Sequence, residues 1–87
     1  MSNLDAQAVA QKIRQIWREV LEMKEGQEAA TFFDLKGDSI SAVRLVARVE
    51  DELGVAVDVG DIFEEDPDLP TFLRDVLAAH EGREAAA

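Results

Sequence analysis

The stretch VAQKIRQIWREVL, residues 9–21, is the strongest fold signal in the chain because its apolar residues recur at helical spacing. Successive apolar positions are separated by four, three, one, three and one residues: Val9, Ile13, Ile16, Trp17, Val20 and Leu21. On an α-helix this spacing forms a single apolar stripe, which is stable only when it is buried against other elements. We therefore expect an amphipathic helix from about Leu4 to Met23, capped by Ser2 or Asn3, with Trp17 in the interior.

Two further long helices are predicted downstream, separated by glycine and proline residues. Residues 39–53 carry apolar side chains at helical spacing, and Gly54 follows them as a typical helix stop. The apolar residues assigned to this helix are Ala42, Val43, Val46, Val49 and Leu53. The last helix is expected over about residues 69–80, with Asp68 as its cap and Pro70 in its first turn.

The segments between these helices are predicted to be loops, apart from one short helical turn. Residues 26–38 include two phenylalanines and a leucine, so we expect this loop to pack across the helices. Residues 55–59, VAVDV, alternate like a strand but have no plausible partner strand, which favours an extended loop. A short helix is allowed at residues 61–63. The sequence therefore predicts an all-α fold, a four-helix bundle with a short third helix.

Length and composition limit what an 87-residue chain can do. The length predicts one domain over residues 1–87, with a core of about 4–80 and a frayed, disordered tail over 81–87. Nine basic and 19 acidic residues give a net charge of −10, which repels nucleic-acid backbones and anionic lipids. We therefore expect no nucleic-acid or membrane partner, and partners that present basic patches instead. With no cysteine, no signal sequence and no membrane-spanning run, a monomeric cytoplasmic protein is predicted.

Candidate catalytic and metal sites fail on residue type or on spacing. Residues 37–41, GDSIS, begin like the nucleophile elbow of a hydrolase, but Ser41 stands where a second glycine is required. A catalytic triad would have to use His80, the only histidine in the chain, next to the predicted tail. The acidic residues between 58 and 68 do not follow the calcium-loop spacing, and a solvated edge is the simpler interpretation. We expect no catalytic residue and no metal site.

Asp38 and Ser39 stand at the predicted start of the second helix, where two interpretations are open. In the first, one of them caps the helix by accepting a hydrogen bond from a backbone N–H. In the second, the Ser39 hydroxyl lies beside unpaired N–H donors and the positive end of the helix dipole, which favours a covalently attached phosphate. A carboxylate at Asp38 suits that phosphate only when a divalent cation bridges the two during transfer.

Four segments of the chain match the motifs of one known family. Residues 32–40, FFDLKGDSI, are similar to the signature F-F-x-L-G-G-[DH]-S-[LI]. Residues 16–21, 44–49 and 70–72 are similar to the first helix, the helix after the serine and the start of the last helix. The chain thus resembles the peptidyl carrier (thiolation) domains of nonribosomal peptide synthesis, within the acyl carrier protein family. Lys36 departs from the signature by replacing the first of two glycines, where a positive φ would strain a lysine.

The resemblance implies a role for each residue that matches the signature. Ser39 would carry a covalent 4′-phosphopantetheine, added from coenzyme A by a phosphopantetheinyl transferase in the presence of a divalent metal. The terminal thiol of that arm would hold an aminoacyl or peptidyl group as a thioester. Asp38 would assist transferase or metal recognition, and Ile40 and Ile62 would contact partner enzymes.

The same resemblance implies a non-catalytic carrier in natural-product biosynthesis. Its partners would be the transferase, an adenylation enzyme and downstream condensing or tailoring enzymes. The short chain, its own Met1 and its charge favour a free-standing, type II carrier, although a domain excised from a larger synthetase would have the same sequence features. The sequence also leaves open an acyl carrier protein for polyketide or fatty-acid synthesis, and a small acidic helical adaptor without a covalent cofactor.

Overall fold

Four α-helices and their connecting loops make up the described part of the chain. The structure, a computed structural model, describes residues 3–86, with side chains from residue 6 to residue 82. In chain order the helices are α1 (Asn3–Leu21), α2 (Ser39–Leu53), α3 (Val59–Glu65) and α4 (Leu69–Ala86). Within these residues an isolated antiparallel β-bridge pairs Thr31 with Asp68. The predicted all-α fold with a short third helix is confirmed.

The core forms where α1 packs against α2 and α4. The apolar stripe of α1 contributes Ile13, Ile16 and Trp17, and none of the three has any exposed surface. The ring of Trp17 contacts that of Phe72 in α4, with ring centroids 5.1 Å apart. The indole Nε1 of Trp17 is buried without a hydrogen-bond partner among the described residues, which costs free energy. The predicted burial of Trp17 is confirmed.

The second helix divides its apolar residues between the core and the surface. Ala42, Leu45 and Val49 have no exposed surface and follow one another at helical spacing. Val43, which was grouped with Ala42 and Val49 among the apolar residues at helical spacing, is 57% exposed. The next residue along a helix is rotated by about 100° from its neighbour, so Val43 cannot share the inward face of Ala42. Leu45 fills the middle of that face and was not among the apolar residues predicted for it.

Both α1 and α2 are followed by a residue with a left-handed backbone conformation. Gly54 follows α2 as predicted, with φ of 68°, and its N–H donates to the carbonyl of Glu50 at 2.9 Å. The first helix ends at Leu21, two residues before the predicted Met23, because Glu22 takes a left-handed φ of 52°. The N–H of Met23 then donates to the carbonyl of Arg18 at 3.0 Å, which closes the helix end.

The last helix begins where it was predicted to begin and continues further. The carboxylate of Asp68 caps it by accepting a hydrogen bond from the N–H of Thr71 at 2.9 Å. The structure corrects the predicted end of this helix, since α4 runs past residue 80 to Ala86, and residue 87 lies outside the described residues. The frayed tail over 81–87 stays a prediction. Gly82 costs about 1 kcal/mol inside a helix, but the glutamate, arginine and alanine residues around it are strong helix formers.

The loop between α1 and α2 packs against the connection between α3 and α4. Phe32 is fully buried, and its N–H donates to the carbonyl of Pro67 at 2.9 Å. The N–H of Phe33 donates to Oδ1 of Asp66 at 2.8 Å. The rings of Phe32 and Phe33 both lie 6.0 Å from that of Phe63 in α3. The predicted packing of this loop across the helices is confirmed, and it positions the segment that leads into α2.

The segment between α2 and α3 forms no helix or strand, as predicted for a loop, and ends in a cap. Oδ1 of Asp58 accepts a hydrogen bond from the N–H of Gly60 at 2.8 Å, which starts α3. No helix in residues 3–86 is both long and apolar enough to cross a membrane.

Candidate functional site

Ser39 is the first residue of α2, and it lies exposed at the N-terminus of that helix. The preceding residue, Asp38, has extended backbone angles and is the N-cap. Oδ1 of Asp38 accepts a hydrogen bond from the N–H of Ser41 at 2.8 Å. The carbonyl of Asp38 accepts one from the N–H of Ala42 at 2.9 Å. The first turn of α2 is therefore well anchored, and it presents the Ser39 hydroxyl to solvent.

The capping interpretation of Asp38 is confirmed. Hydrogen bonds from the backbone N–H of Ser41, and then from the Ser41 side chain, hold the pKa of Asp38 below its usual value. The carboxylate therefore stays ionised and keeps a negative charge beside Ser39. Among the described side chains, no group of three or more histidine, cysteine or acidic residues could hold a metal ion. A role for Asp38 in transferase or metal recognition stays a prediction.

The two residues before the cap are restricted in different ways. Lys36 has a left-handed φ of 63°, a conformation that costs an L-residue with a side chain about 1–2 kcal/mol. Gly37 has no room for a side chain, because a Cβ there would lie 2.5 Å from Cε2 and Cζ of Phe32. The first glycine position of the signature thus favours glycine for its backbone angle, and the second requires it for space. The expected strain at Lys36 is present.

The two isoleucines predicted to contact partner enzymes lie in opposite environments. Ile40, next to Ser39, is 63% exposed, and Val43, one turn further along α2, is 57% exposed. We call these two residues the outer edge of α2. Ile62 is only 2% exposed and belongs to the core cluster. The expectation that Ile62 lies on an exposed partner surface is wrong, because α3 turns this side chain inward.

Val43 was not predicted as a surface residue, although the sequence held a signal for it. Val43 follows Ile40 by three residues, and residues at this spacing are neighbours on a helix surface. An exposed Ile40 therefore implied an exposed Val43.

Arg48 connects α2 to α1 on the surface. Its Nη1 lies 2.6 Å from Oε1 of Glu19 in α1, and its Nε lies 2.7 Å from Oε2 of Glu52 in α2. The hydrogen bonds to Arg48 lower the pKa of both Glu19 and Glu52, and they raise the pKa of Arg48. Exposed ion pairs contribute little stability. The pair with Glu19 joins α2 to α1, and the pair with Glu52 lies within α2.

Comparisons with known proteins identify the family. The family model described as the phosphopantetheine attachment site matches residues 11–76. The phosphinothricin tripeptide synthetase PhsC of Streptomyces viridochromogenes is 40% identical over 70 residues, which cover 80% of this chain and 6% of that protein. The N-(5-amino-5-carboxypentanoyl)-L-cysteinyl-D-valine synthase of Amycolatopsis lactamdurans is 39% identical over 64 residues, covering 71% of this chain and 2% of that protein. Surfactin synthase subunit 1 of Bacillus subtilis is 30% identical over 76 residues, covering 87% of this chain and 2% of that protein.

The helical fold and these matches define a carrier domain. The chain belongs to the phosphopantetheine attachment family, whose members bind a covalently attached 4′-phosphopantetheine, and the expected cofactor is confirmed. Its relatives are a tripeptide synthetase, a synthase and a synthase subunit, each matched over one short stretch, and the chain is a carrier domain of the peptidyl type. Carrier domains of such synthetases are in general not catalysts, and they work with adenylation and condensation partners. The chain spans 2–6% of the length of these three relatives.

The start of α2 fits a covalent phosphate. Ser39 is exposed, and the N-terminus of a helix offers unpaired N–H donors and the positive end of the helix dipole. The Asp38 carboxylate opposes the phosphate charge, because its hydrogen bond from Ser41 keeps it ionised.

Proposed function

We propose that Ser39 is the attachment residue for 4′-phosphopantetheine. The observation that carries this proposal is an exposed serine on the first turn of α2, inside a segment similar to the family signature. Ser41 is the nearest competing serine, but it is half-buried and its N–H is bound to the Asp38 cap.

The residues around Ser39 support this role by positioning its hydroxyl. The Asp38 cap holds the first turn of α2, and the close contact between Gly37 and Phe32 anchors the preceding loop to the core. When bound, the arm supplies a thiol that carries an acyl group as a thioester. The protein keeps Ser39 rigid and accessible, so that separate enzymes can reach the end of the arm. Asp38 assists the transferase by sharing a divalent cation, for which the phosphate and the transferase supply the other ligands.

We infer that the cargo is an aminoacyl or peptidyl group loaded by an adenylation enzyme and passed to condensing or tailoring enzymes. The names of the relatives, all peptide synthetases or synthases, support this cargo over a fatty-acid or polyketide chain. The outer edge of α2 contributes to docking, since Ile40 adjoins Ser39 and is exposed. We further propose a monomeric, cytoplasmic carrier that serves nonribosomal peptide biosynthesis.

Intact-mass analysis after treatment with a broad-specificity phosphopantetheinyl transferase and coenzyme A tests the proposal. Wild type and Ser41→Ala should each gain one phosphopantetheinyl unit, and Ser39→Ala should gain none. Ser41→Ala is the matched control because it removes a hydroxyl from the same helical turn. Modification of Ser39→Ala contradicts the assignment. So does an unmodified wild type while the same transferase modifies a reference carrier, and that result would favour a helical adaptor without a cofactor.

A further inference from the structure

A groove with an apolar lining lies between α3 and α4. It encloses about 390 Å³. Its accessible apolar lining comes from Ala56, Val57 and Ala79, and the core residues Ile62, Phe72 and Val76 lie beneath them with at most 3% of their surface exposed. This groove is separate from the outer edge of α2, and no residue of the segment 32–43 lines it. We call it the α3–α4 groove.

The rim of the α3–α4 groove is acidic. Asp58, Asp61 and Glu65 line its α3 side, and Asp75 lines its α4 side. Asp61 and Glu65 are four positions apart on α3, which places like charges next to each other on one face at a cost in stability, and Asp58 is the N-cap of the same helix. No lysine, arginine or histidine is among the described residues that line the groove. Asp75 contacts Arg74 at 3.7 Å, but both of these side chains are at least half exposed, so this pair neutralises the rim weakly.

The α3–α4 groove extends toward the end of α2 that is remote from Ser39. Ala56 and Ala79 line it and also line an adjoining recess, which includes Glu50 and Gly54 at the C-terminal end of α2. The 15 residues of α2 separate its two ends by about 22 Å. A molecule in the groove would therefore leave Ser39 and the outer edge of α2 uncovered.

We propose that the α3–α4 groove binds a basic amphipathic segment of a partner protein. Charge complementarity selects this occupant, because the rim carries four carboxylates and the whole chain has a net charge of −10. Apolar side chains of the segment cover the apolar lining, and arginine or lysine side chains lay their aliphatic stems along it and reach the rim carboxylates. The contact holds the carrier on its partner while Ser39 stays free for the next enzyme. This surface does not depend on the attachment of an arm to Ser39.

Peptide binding to the Ser39→Ala protein tests this proposal separately from the proposed function. The probe is a fluorescein-labelled amphipathic helical peptide with leucines along one face and arginines beside them. The control peptide has glutamate in place of every arginine. Fluorescence anisotropy should show binding of the basic peptide alone, weakening as salt is added. Amide chemical shifts should change in α3, in α4 and in the segment between α2 and α3.

Two matched pairs of variants locate the site. Ala79 lines the groove and its neighbour Ala78 does not, and both are exposed on α4. Ala79→Arg should weaken peptide binding at least about fivefold, and Ala78→Arg should change it less than about twofold. The double variant Asp61→Asn/Glu65→Gln should likewise weaken binding more than Asp51→Asn/Glu64→Gln, which removes the same charge outside the groove.

Any one of four results with the peptides and variants would overturn the proposal. The two variants of a pair could weaken peptide binding equally, or the acidic peptide could bind as tightly as the basic one. The basic peptide could also fail to bind, or the amide chemical shifts could change in α2 alone. Amide shifts in α3 and α4 that depend on protein concentration without peptide would assign the groove to a second copy of the chain, and would overturn it as well.

Discussion

The inner face and the outer edge of α2 carry similar apolar side chains and have opposite exposure. Leu45 and Val49 on the inner face have no exposed surface, whereas Ile40 and Val43 on the outer edge are 63% and 57% exposed. Burying an isoleucine or valine side chain stabilises a protein by about 1.5–3 kcal/mol, and the outer edge forgoes most of this gain. One helix thus serves two purposes. Its inner face holds the fold together, and its outer edge presents an apolar surface beside Ser39.

The largest expected effect lies on the buried side of this comparison. Replacing Trp17 by alanine removes the ring that packs on Phe72 and should lower the free energy of unfolding by about 3–5 kcal/mol. Chemical denaturation followed by circular dichroism measures the loss. Trp17→Phe is the control and should cost less, because it keeps an aromatic contact and removes the unsatisfied indole N–H. A Trp17→Ala melt indistinguishable from wild type would show that α1 does not hold the core.

Substitutions at two adjacent positions in the loop before α2 should change the free energy of unfolding in opposite directions. Gly37→Ala forces a Cβ against the buried ring of Phe32 and should cost about 1–3 kcal/mol. Lys36→Gly removes the strain of a left-handed φ at a residue with a side chain, and it should raise the free energy of unfolding by up to about 1 kcal/mol. Thermal or chemical melts of the two variants measure both effects. If both substitutions changed stability in the same direction, the two constraints would have been assigned wrongly.

The smallest effect on stability is expected at the outer edge. Ile40→Ala should lower the free energy of unfolding by less than about 1 kcal/mol, because the side chain is mostly exposed. It should slow loading or transfer by an amount equivalent to about 1–2 kcal/mol if Ile40 fills a pocket on a partner enzyme. Denaturation and the loading rate are measured on the same protein.

Val49→Ala is the matched control for Ile40→Ala, since it truncates the inner face of the same helix. Val49→Ala should lower the free energy of unfolding more than Ile40→Ala does. Under conditions in which it is folded, it should be loaded at the wild-type rate. A large loss of stability in Ile40→Ala together with normal loading would place Ile40 with the core and end the distinction between the two surfaces.

The sequence was enough to predict the helices and the position of Ser39 at the start of α2, because these depend on local spacing and on a contiguous motif. It was not enough to predict which apolar residues are exposed. Ile62 lies within an apolar pattern, and only tertiary packing decides that it faces the core, whereas the exposure of Val43 follows from its spacing to Ile40. The end of α4 was missed for a related reason, since a single glycine at residue 82 is too weak a signal to stop a helix.

The α3–α4 groove could not be predicted from the sequence either. Its acidic residues are visible in the sequence, where their spacing indicates only a solvated edge. Its apolar lining combines residues of the segment before α3 with a residue of α4, and their proximity follows from tertiary packing alone.

The assignment of the arm to Ser39 can be measured within one peptide of the wild-type protein. Trypsin cleavage after Lys36 and Arg44 yields the peptide 37–44, GDSISAVR, which contains both Ser39 and Ser41. After treatment with transferase and coenzyme A, tandem mass spectrometry should locate one phosphopantetheinyl group on Ser39, with Ser41 unmodified. A group on Ser41, or a modified protein whose peptide 37–44 carries no group, would contradict the assignment.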